Sequence, residues 1–311
     1  MTDAVVVDGV SRWFGDRVAV ADVSFSAGPG VTGLLGHNGA GKTTILRLLA
    51  GFTTPSRGSV RILDADPRRE PEVFRRVGLV PDGDGLWPFL TAHGAVSLLA
   101  RLRGVADPDD AAHRALATVG LDEVSDRRLV GFSKGMRQGV KLAQALAHDP
   151  DVLLLDEPLN GLDPARRRAF VELVQRLGEA GKTVIVSSHV LHEVERMAPR
   201  VVVLVNGRLV AEGETASIRA LIADRPRSVR IEAGAGTREL AQALMGAGLA
   251  DSVRLADGAA LLETPDPEAL ARQLPVIARD RSITVSRVEP IGDDLESVYA
   301  YLHARARGAA R

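Results

Sequence analysis

The chain contains no cysteine. Disulfides, thiolate zinc sites and cysteine nucleophiles are therefore excluded together, and the composition fits a reducing compartment. An excess of charge is also missing: 39 basic residues against 40 acidic ones leave a formal net charge of −1. Nothing draws the protein globally to nucleic acid, and the arginines near the end, Arg305, Arg307 and Arg311, read as a solvated tail. Long hydrophobic runs are absent as well. Wholly apolar stretches are strand-sized, as in VVVLV at 201–205, far below the roughly 20 residues of a membrane-spanning helix. The opening MTDAVVVDGV has no basic segment followed by an apolar one, so no secretion signal is expected. The expected location is the cytoplasm, with any work at a membrane done through a partner that spans it.

What is present is an ordinary globular composition, 45% hydrophobic and 25% charged over 311 residues, enough for two domains. AVVVDGVSRWF, RVAVADVSFSAG and GSVRILD are short, β-branched and broken by Gly or Asp, which predicts an antiparallel β region. From about 84 to 150 the period is helical, a helical insertion. DVLLLDEP and KTVIVSSH are continuous apolar runs separated by the helix PARRRAFVELVQRLGEAG, the pattern of a parallel sheet covered on both faces. Asn206-Gly207 between apolar runs predicts a type I′ hairpin that closes this core. After Gly213 the order becomes strand, helix, strand, strand, helix, strand, that of a small α+β ferredoxin-like unit, followed by a helix in DDLESVYAYLHARAR. The expected domains are thus 1–213 and 214–311.

The chemistry begins at GHNGAGKT, residues 36–43, which satisfies G-x-x-x-x-G-K-[ST] between a strand and a helix. Gly36, His37, Asn38, Gly39, Ala40 and Gly41 form a loop whose amides can wrap a phosphate at the positive end of the following helix. Lys42 reaches the β- and γ-phosphates, the Thr43 hydroxyl is placed for Mg²⁺, and Thr44 continues the site. Asp156 emerges at the end of a buried strand in DVLLLDEP, beside that loop in a doubly wound sheet, where it can hold Mg²⁺. Glu157, one residue on, is placed to polarise the attacking water as a general base. His189 ends TVIVSSH on the same sheet edge and can contact the γ-phosphate. A second anion site stands in VGFSKGMRQGVKLAQALAHDP, where Ser133 precedes a helix whose first amides are open. It is redundant for a chain that already encloses its own phosphates.

In order and type, these motifs resemble ATP-binding cassette (ABC) ATPases over residues 4–213. The resemblance implies a P-loop cassette with a parallel-sheet core that binds ATP and Mg²⁺ and hydrolyses ATP. It makes Phe132, Ser133, Lys134, Gly135 and Met136 the signature motif, facing the nucleotide of a second cassette in a homodimer. Lys134 and Met136 depart from the usual glycine and glutamine. Phe14, with Trp13 the alternative, would stack on adenine; Asn160, Gly161, Leu162 and Asp163 would form the D-loop, and His189 the switch histidine. Asp82 stands where the family usually has a glutamine that touches Mg²⁺ and water. It is kept as a sensing and coupling position and a further oxygen ligand. An acidic residue there, with the stretch from Gly85 to Thr91, resembles export-type bacterial cassettes.

Such a cassette without membrane helices resembles the motor of an exporter whose permease is a separate polypeptide, and it would lie peripherally on the inner face of the cell membrane. The insertion between Asp82 and Ser133 would be its docking surface. A soluble GTPase is excluded because no N-K-x-D guanine motif occurs. A non-transport ABC ATPase acting on ribosomes or DNA is the alternative, disfavoured by a single cassette, no sustained heptads and no basic surface run.

Overall fold

A computed structural model describes residues 3–83, 85–218, 227–256 and 258–291. The chain divides into two compact units, 1–218 and 219–311. In the first, alternation of buried and exposed residues builds an antiparallel sheet in which β1 (Val5–Phe14) lies between β2 (Arg17–Ala27) and β4 (Arg57–Ile62). Val5, Val7 and Val10 of β1 are buried, while Asp8 between them is exposed.

The second sheet has the order β5-β6-β7-β3-β8-β9. β3 (Gly30–Leu35), β5 (Val77–Val80), β6 (Val152–Leu155), β7 (Thr183–Ser188) and β8 (Arg200–Val205) are parallel, and β9 (Arg208–Glu214) returns antiparallel. All four residues of β6 are fully buried because the sheet is covered on both sides. One face packs on α1 (Lys42–Leu49) and the antiparallel sheet through Leu34, Leu154, Ile185 and Leu204. The other packs on α5 (Pro164–Glu179) and α6 (Leu191–Met197). Between β8 and β9, Asn206 and Gly207 both have positive φ, 47° and 76°, as a type I′ turn requires.

Between β5 and β6 the chain forms α2 (Ala92–Leu102), α3 (Pro108–Thr118) and α4 (Lys134–Leu146). Thr91, Asp107 and Ser133 cap them, each accepting from an amide of the first turn. Their shared core is dominated by small residues, Ala92, Ala95, Ala100, Ala111, Ala112, Ala115 and Ala143, closed by Val96, Leu116, Leu129 and Val140.

The second unit comprises β10 (Arg227–Glu232), α7 (Thr237–Gly246), β11 (Ser252–Ala256), β12 (Ala259–Thr264), α8 (Pro267–Asp280) and β13 (Arg287–Ile291). Its sheet order is β11-β12-β10-β13, with every neighbouring pair antiparallel. Ile231, Leu240, Leu244, Leu262 and Leu270 form its own core. The last helix expected from the sequence, and the arginine tail, lie outside the described residues.

Candidate nucleotide site

Parallel strands deliver their carboxyl ends to one edge of the sheet. Gly36 follows β3, Asp82 lies just past β5, Asp156 and Glu157 follow β6, and His189 follows β7. The strands are level there: Leu35 pairs with Ser188, Leu155 with Val186, and Val80 with Leu155.

The loop leading into α1 is fixed by its backbone. Gly41 has φ 106°, and a Cβ on it would come 2.8 Å from the Ala19 carbonyl oxygen, so only glycine fits. The Ala40 amide donates to the His37 carbonyl at 3.0 Å, and the Gly207 amide donates to the Ala40 carbonyl at 3.0 Å. Lys42 is buried and donates to the carbonyls of Gly36 at 2.6 Å and His37 at 3.2 Å. Gly36 and His37 thereby hold the lysine. Asn38, Gly39, Ala40, Gly41, Lys42, Thr43 and Thr44 border a cleft of about 460 Å³, together with Phe14, Asp82 and Glu157.

Phe14 is half exposed beside this cleft, and the Arg12 guanidinium covers one ring face at 4.4 Å from the centroid. Trp13 does not border the cleft and lies under Arg57, 5.9 Å from its ring centroid.

Three carboxylates converge below the loop. Asp156 is buried, accepting from the Ser187 hydroxyl at 2.7 Å and from Thr43. Burial raises its pKa above that of an ordinary aspartate. The Ser187 and Thr43 hydrogen bonds pull it back, and the charges of Asp82 and Glu157 push it up again. Ser187 also accepts from the Glu157 amide at 2.8 Å, tying the two acids to β7. Glu157 has φ 47°, a costly conformation for a residue with a side chain. Its Oε1 lies 3.1 Å from Lys42 Nζ, yet has no partner at hydrogen-bonding geometry; its Oε2 lies 2.9 Å from His189 Nδ1. A carboxylate only accepts, so Nδ1 carries the hydrogen.

Among the described residues no group of three or more His, Cys, Asp or Glu could hold a metal by itself. Magnesium does not need one: it takes one or two carboxylates and completes its shell with phosphate and water. A hydroxyl already bonded to a buried, acid-flanked aspartate suits that demand. Asp156 and Thr43 fit such an ion, with Asp82 at the rim.

Ser133, Lys134, Gly135 and Met136 do not border the cleft. The Ser133 hydroxyl caps α4 by accepting from the Met136 amide at 3.2 Å. The Met136 side chain packs against the helical core, and Gly135 is buried. Lys134 bends across the neighbouring loop, where a Cβ on Gly161 would sit 2.5 Å from Lys134 Cδ. In that loop the Asn160 amide donates to the Glu157 carbonyl at 3.2 Å and Leu162 is buried. Asp163 caps α5, accepting from Ala165 and Arg166.

Sequence reasoning passed over three side chains. Arg17 borders the cleft and faces Phe14 across a hairpin, a pairing that the two-residue spacing Gly15-Asp16 makes legible. Arg47 borders it one helical turn beyond Thr43. Ser187, which organises both acids, carries no signal beyond its place in a buried strand.

A family profile described as ABC transporter matches residues 20–160. The chain is 38% identical over 221 residues to the Nod factor export ATP-binding protein I of Paraburkholderia xenovorans, covering 70% of this chain and 73% of that protein. It is 37% identical to the ABC transporter ATP-binding protein NatA of Bacillus subtilis, covering 69% of this chain and 91% of that one. Among solved structures, an ATP-binding subunit of an ABC transporter superposes with a TM-score of 0.64 at 28% identity, over 70% of this chain and 92% of that one. A dimeric bacterial ABC transporter cassette does so with a TM-score of 0.62 at 25% identity, over 68% and 98%. With its phosphate loop, paired acids and sheet in place, the chain belongs to the ABC transporter family, as an ATP-binding and ATP-hydrolysing subunit.

Proposed function

We propose that this subunit drives export through a separate membrane permease, working as a pair of cassettes that close on two ATP molecules. The observation that carries the chemistry is Glu157 Oε1, a buried carboxylate oxygen without a hydrogen-bond partner on a residue that borders the nucleotide cleft. A water there would donate to Oε1 and lose its proton to Glu157 as it attacks the γ-phosphate. His189 holds the other oxygen and orients the base. Lys42 and the loop amides carry the phosphates, and the half-exposed ring of Phe14 beside the cleft stacks on adenine. Bound at Asp156 and Thr43, Mg²⁺ would neutralise charge on the β- and γ-phosphates.

Ser133 and Gly135 lie outside the chain's own cleft, which supports their use by the nucleotide of a second cassette. Among the described residues no helix is long and apolar enough to cross a membrane, which supports a separate permease and a place on the inner face of the membrane beside it. The export direction is supported by relatives whose names refer to Nod factor export. The test is purification of the tagged chain from solubilised membranes. An integral membrane protein should copurify in stoichiometric amount, and the ATPase of the complex should rise with its transported compound. Recovery with ribosomes or DNA instead would overturn the exporter reading.

A further inference from the structure

A second cleft, of about 540 Å³, lies between α4 and α5 beside the turn at 117–121, and shares no residue with the nucleotide cleft. Its width follows from the sequence. α4 presents Gly135 and Gly139 to it and α5 presents Ala165 and Ala169, in each case small residues four apart and so on one helix face. Gly139 has to stay small, because a Cβ there would come 2.9 Å from Leu121 Cδ1. Buried Leu142 and Phe170 make the walls apolar. Small and apolar residues alone would leave only a gap. Gln138 makes the gap a site: it is 6% exposed, it lines the cleft, and its Nε2 is buried with no hydrogen-bond partner. An amide nitrogen in an apolar wall is unfavourable until an acceptor reaches it. A leucine would have avoided that cost.

We propose that this cleft binds a free amphipathic carboxylate, with its acid group between Gln138 and Arg166 and its apolar chain laid along α5. An amide nitrogen only donates, so the missing group is an acceptor. Arg166 decides its charge. Gly135 stands one turn before Gln138 on the same helix face, and a Cβ on it would lie 3.3 Å from Arg166 Cδ, which brings the arginine to that end of the cleft. Asp163 lies 3.4 Å from Arg166 Nε but does not line the cleft, and a guanidinium has further N–H groups to give. Farther along α5 the lining holds Glu172 and Arg176, which offset each other, so the surplus charge is that of Arg166 and is positive. A wholly apolar ligand would leave Gln138 Nε2 bare, and a cation would be repelled by Arg166. The volume lies within the range of small-molecule pockets, about 300–1,000 Å³.

The test is calorimetric titration of the full, nucleotide-free chain with decanoate below its micelle concentration, and with decylammonium as a ligand of equal chain and opposite charge. Decanoate should bind once per chain, about tenfold more tightly than decylammonium. Ala169→Trp puts an indole into the cleft from an exposed position and should weaken decanoate about tenfold. Gln138→Leu removes the donor and should weaken it about fivefold; Gln138→Glu keeps the shape, sets an anion against the carboxylate and should weaken it further. Equal affinity for the two ligands would reduce the cleft to an apolar surface and overturn the inference. Decanoate binding that survives Ala169→Trp would lie elsewhere on the chain and overturn it too. So would the lack of any saturable decanoate binding, which would leave Gln138 with water alone. Should Gln138→Leu not fold, Gln138→Glu carries that comparison, and Ala169→Trp, changed at an exposed position, still decides the place of binding.

Discussion

Lys42 and Glu157 form a buried ion pair, 3.1 Å between Nζ and Oε1, and both border the nucleotide cleft. Each therefore neutralises the other before a nucleotide arrives. In the proposed mechanism a γ-phosphate would offer Lys42 a second anion, and as the lysine turned toward it Oε1 would become free to accept from water. The same contact that keeps a buried charge tolerable would then restrain the base until substrate is present.

Glu157→Gln keeps the shape of the side chain and removes its basicity. Hydrolysis should fall by about 10²–10⁴, the usual contribution of a positioned general base. ATP affinity should be retained, and ATP-dependent dimers should accumulate, because closure needs only phosphate whereas reopening needs hydrolysis. Size-exclusion chromatography with and without ATP reads the dimer. Full turnover in this variant would remove Glu157 as the base.

Lys42→Ala should abolish nucleotide binding. The lysine is the cation buried against the loop carbonyls, and its loss leaves Glu157 unpaired, repelling the phosphates that Lys42 had attracted. Titration with a fluorescent ATP analogue checks this. Micromolar affinity retained in the variant would refute the assignment of the loop.

Much of this site was legible in the sequence because its motifs are local. Gly41, Lys42 and Thr43 are consecutive, and so are Asp156 and Glu157, and each set follows an apolar run that announces a buried strand. What strand periodicity cannot give is the order of strands in the sheet, and therefore which neighbour touches which acid. Ser187 bonds both Asp156 and Glu157 only because β7 lies next to β6, a pairing across thirty residues. Lys141 was hidden for a similar reason: its spacing reads as an ordinary helix face, and the Pro81 and Gly83 carbonyls to which its Nζ donates carry no sequence signal. The stem of Lys134 lies across Gly161 of its own chain, a contact between the start of α4 and a loop that sequence spacing does not show.

Asp82 is exposed at the rim, closer in character to a sensor than to a catalytic group. Asp82→Gln should therefore leave basal hydrolysis within about an order of magnitude, roughly 1.4 kcal/mol in barrier. A steady-state assay at saturating ATP decides it. A larger loss would give Asp82 a part in the chemical step.

The exposed ammonium of Lys134 lies beside the open end of α4. Lys134→Gly should weaken ATP-driven dimerisation a few-fold at low ionic strength, with the difference vanishing near 1 M salt, where the Debye length is about 3 Å. Equal weakening at both salt concentrations would assign the effect to the stem packed on Gly161.

His148 gives the chain a pH dependence outside the nucleotide cleft. Its Nε2 donates to the Val77 carbonyl at 3.1 Å, and its Nδ1 is buried without a partner, so the ring is held neutral. Burial lowers its pKa below that of an ordinary histidine, the Val77 carbonyl opposes this, and the charge of Arg103 adds to the lowering. The unfolded chain takes up a proton near pH 6.5, whereas the folded chain resists until a lower pH. Below pH 6.5 the unfolded state therefore binds more protons, and stability falls with pH until the folded-state value is passed. Between pH 7.5 and 5.5 the parent protein should lose more in Tm than His148→Gln, the remaining histidines being common to both. Thermal melts monitored by circular dichroism at the two pH values measure the difference, and parallel losses would show that His148 does not carry it.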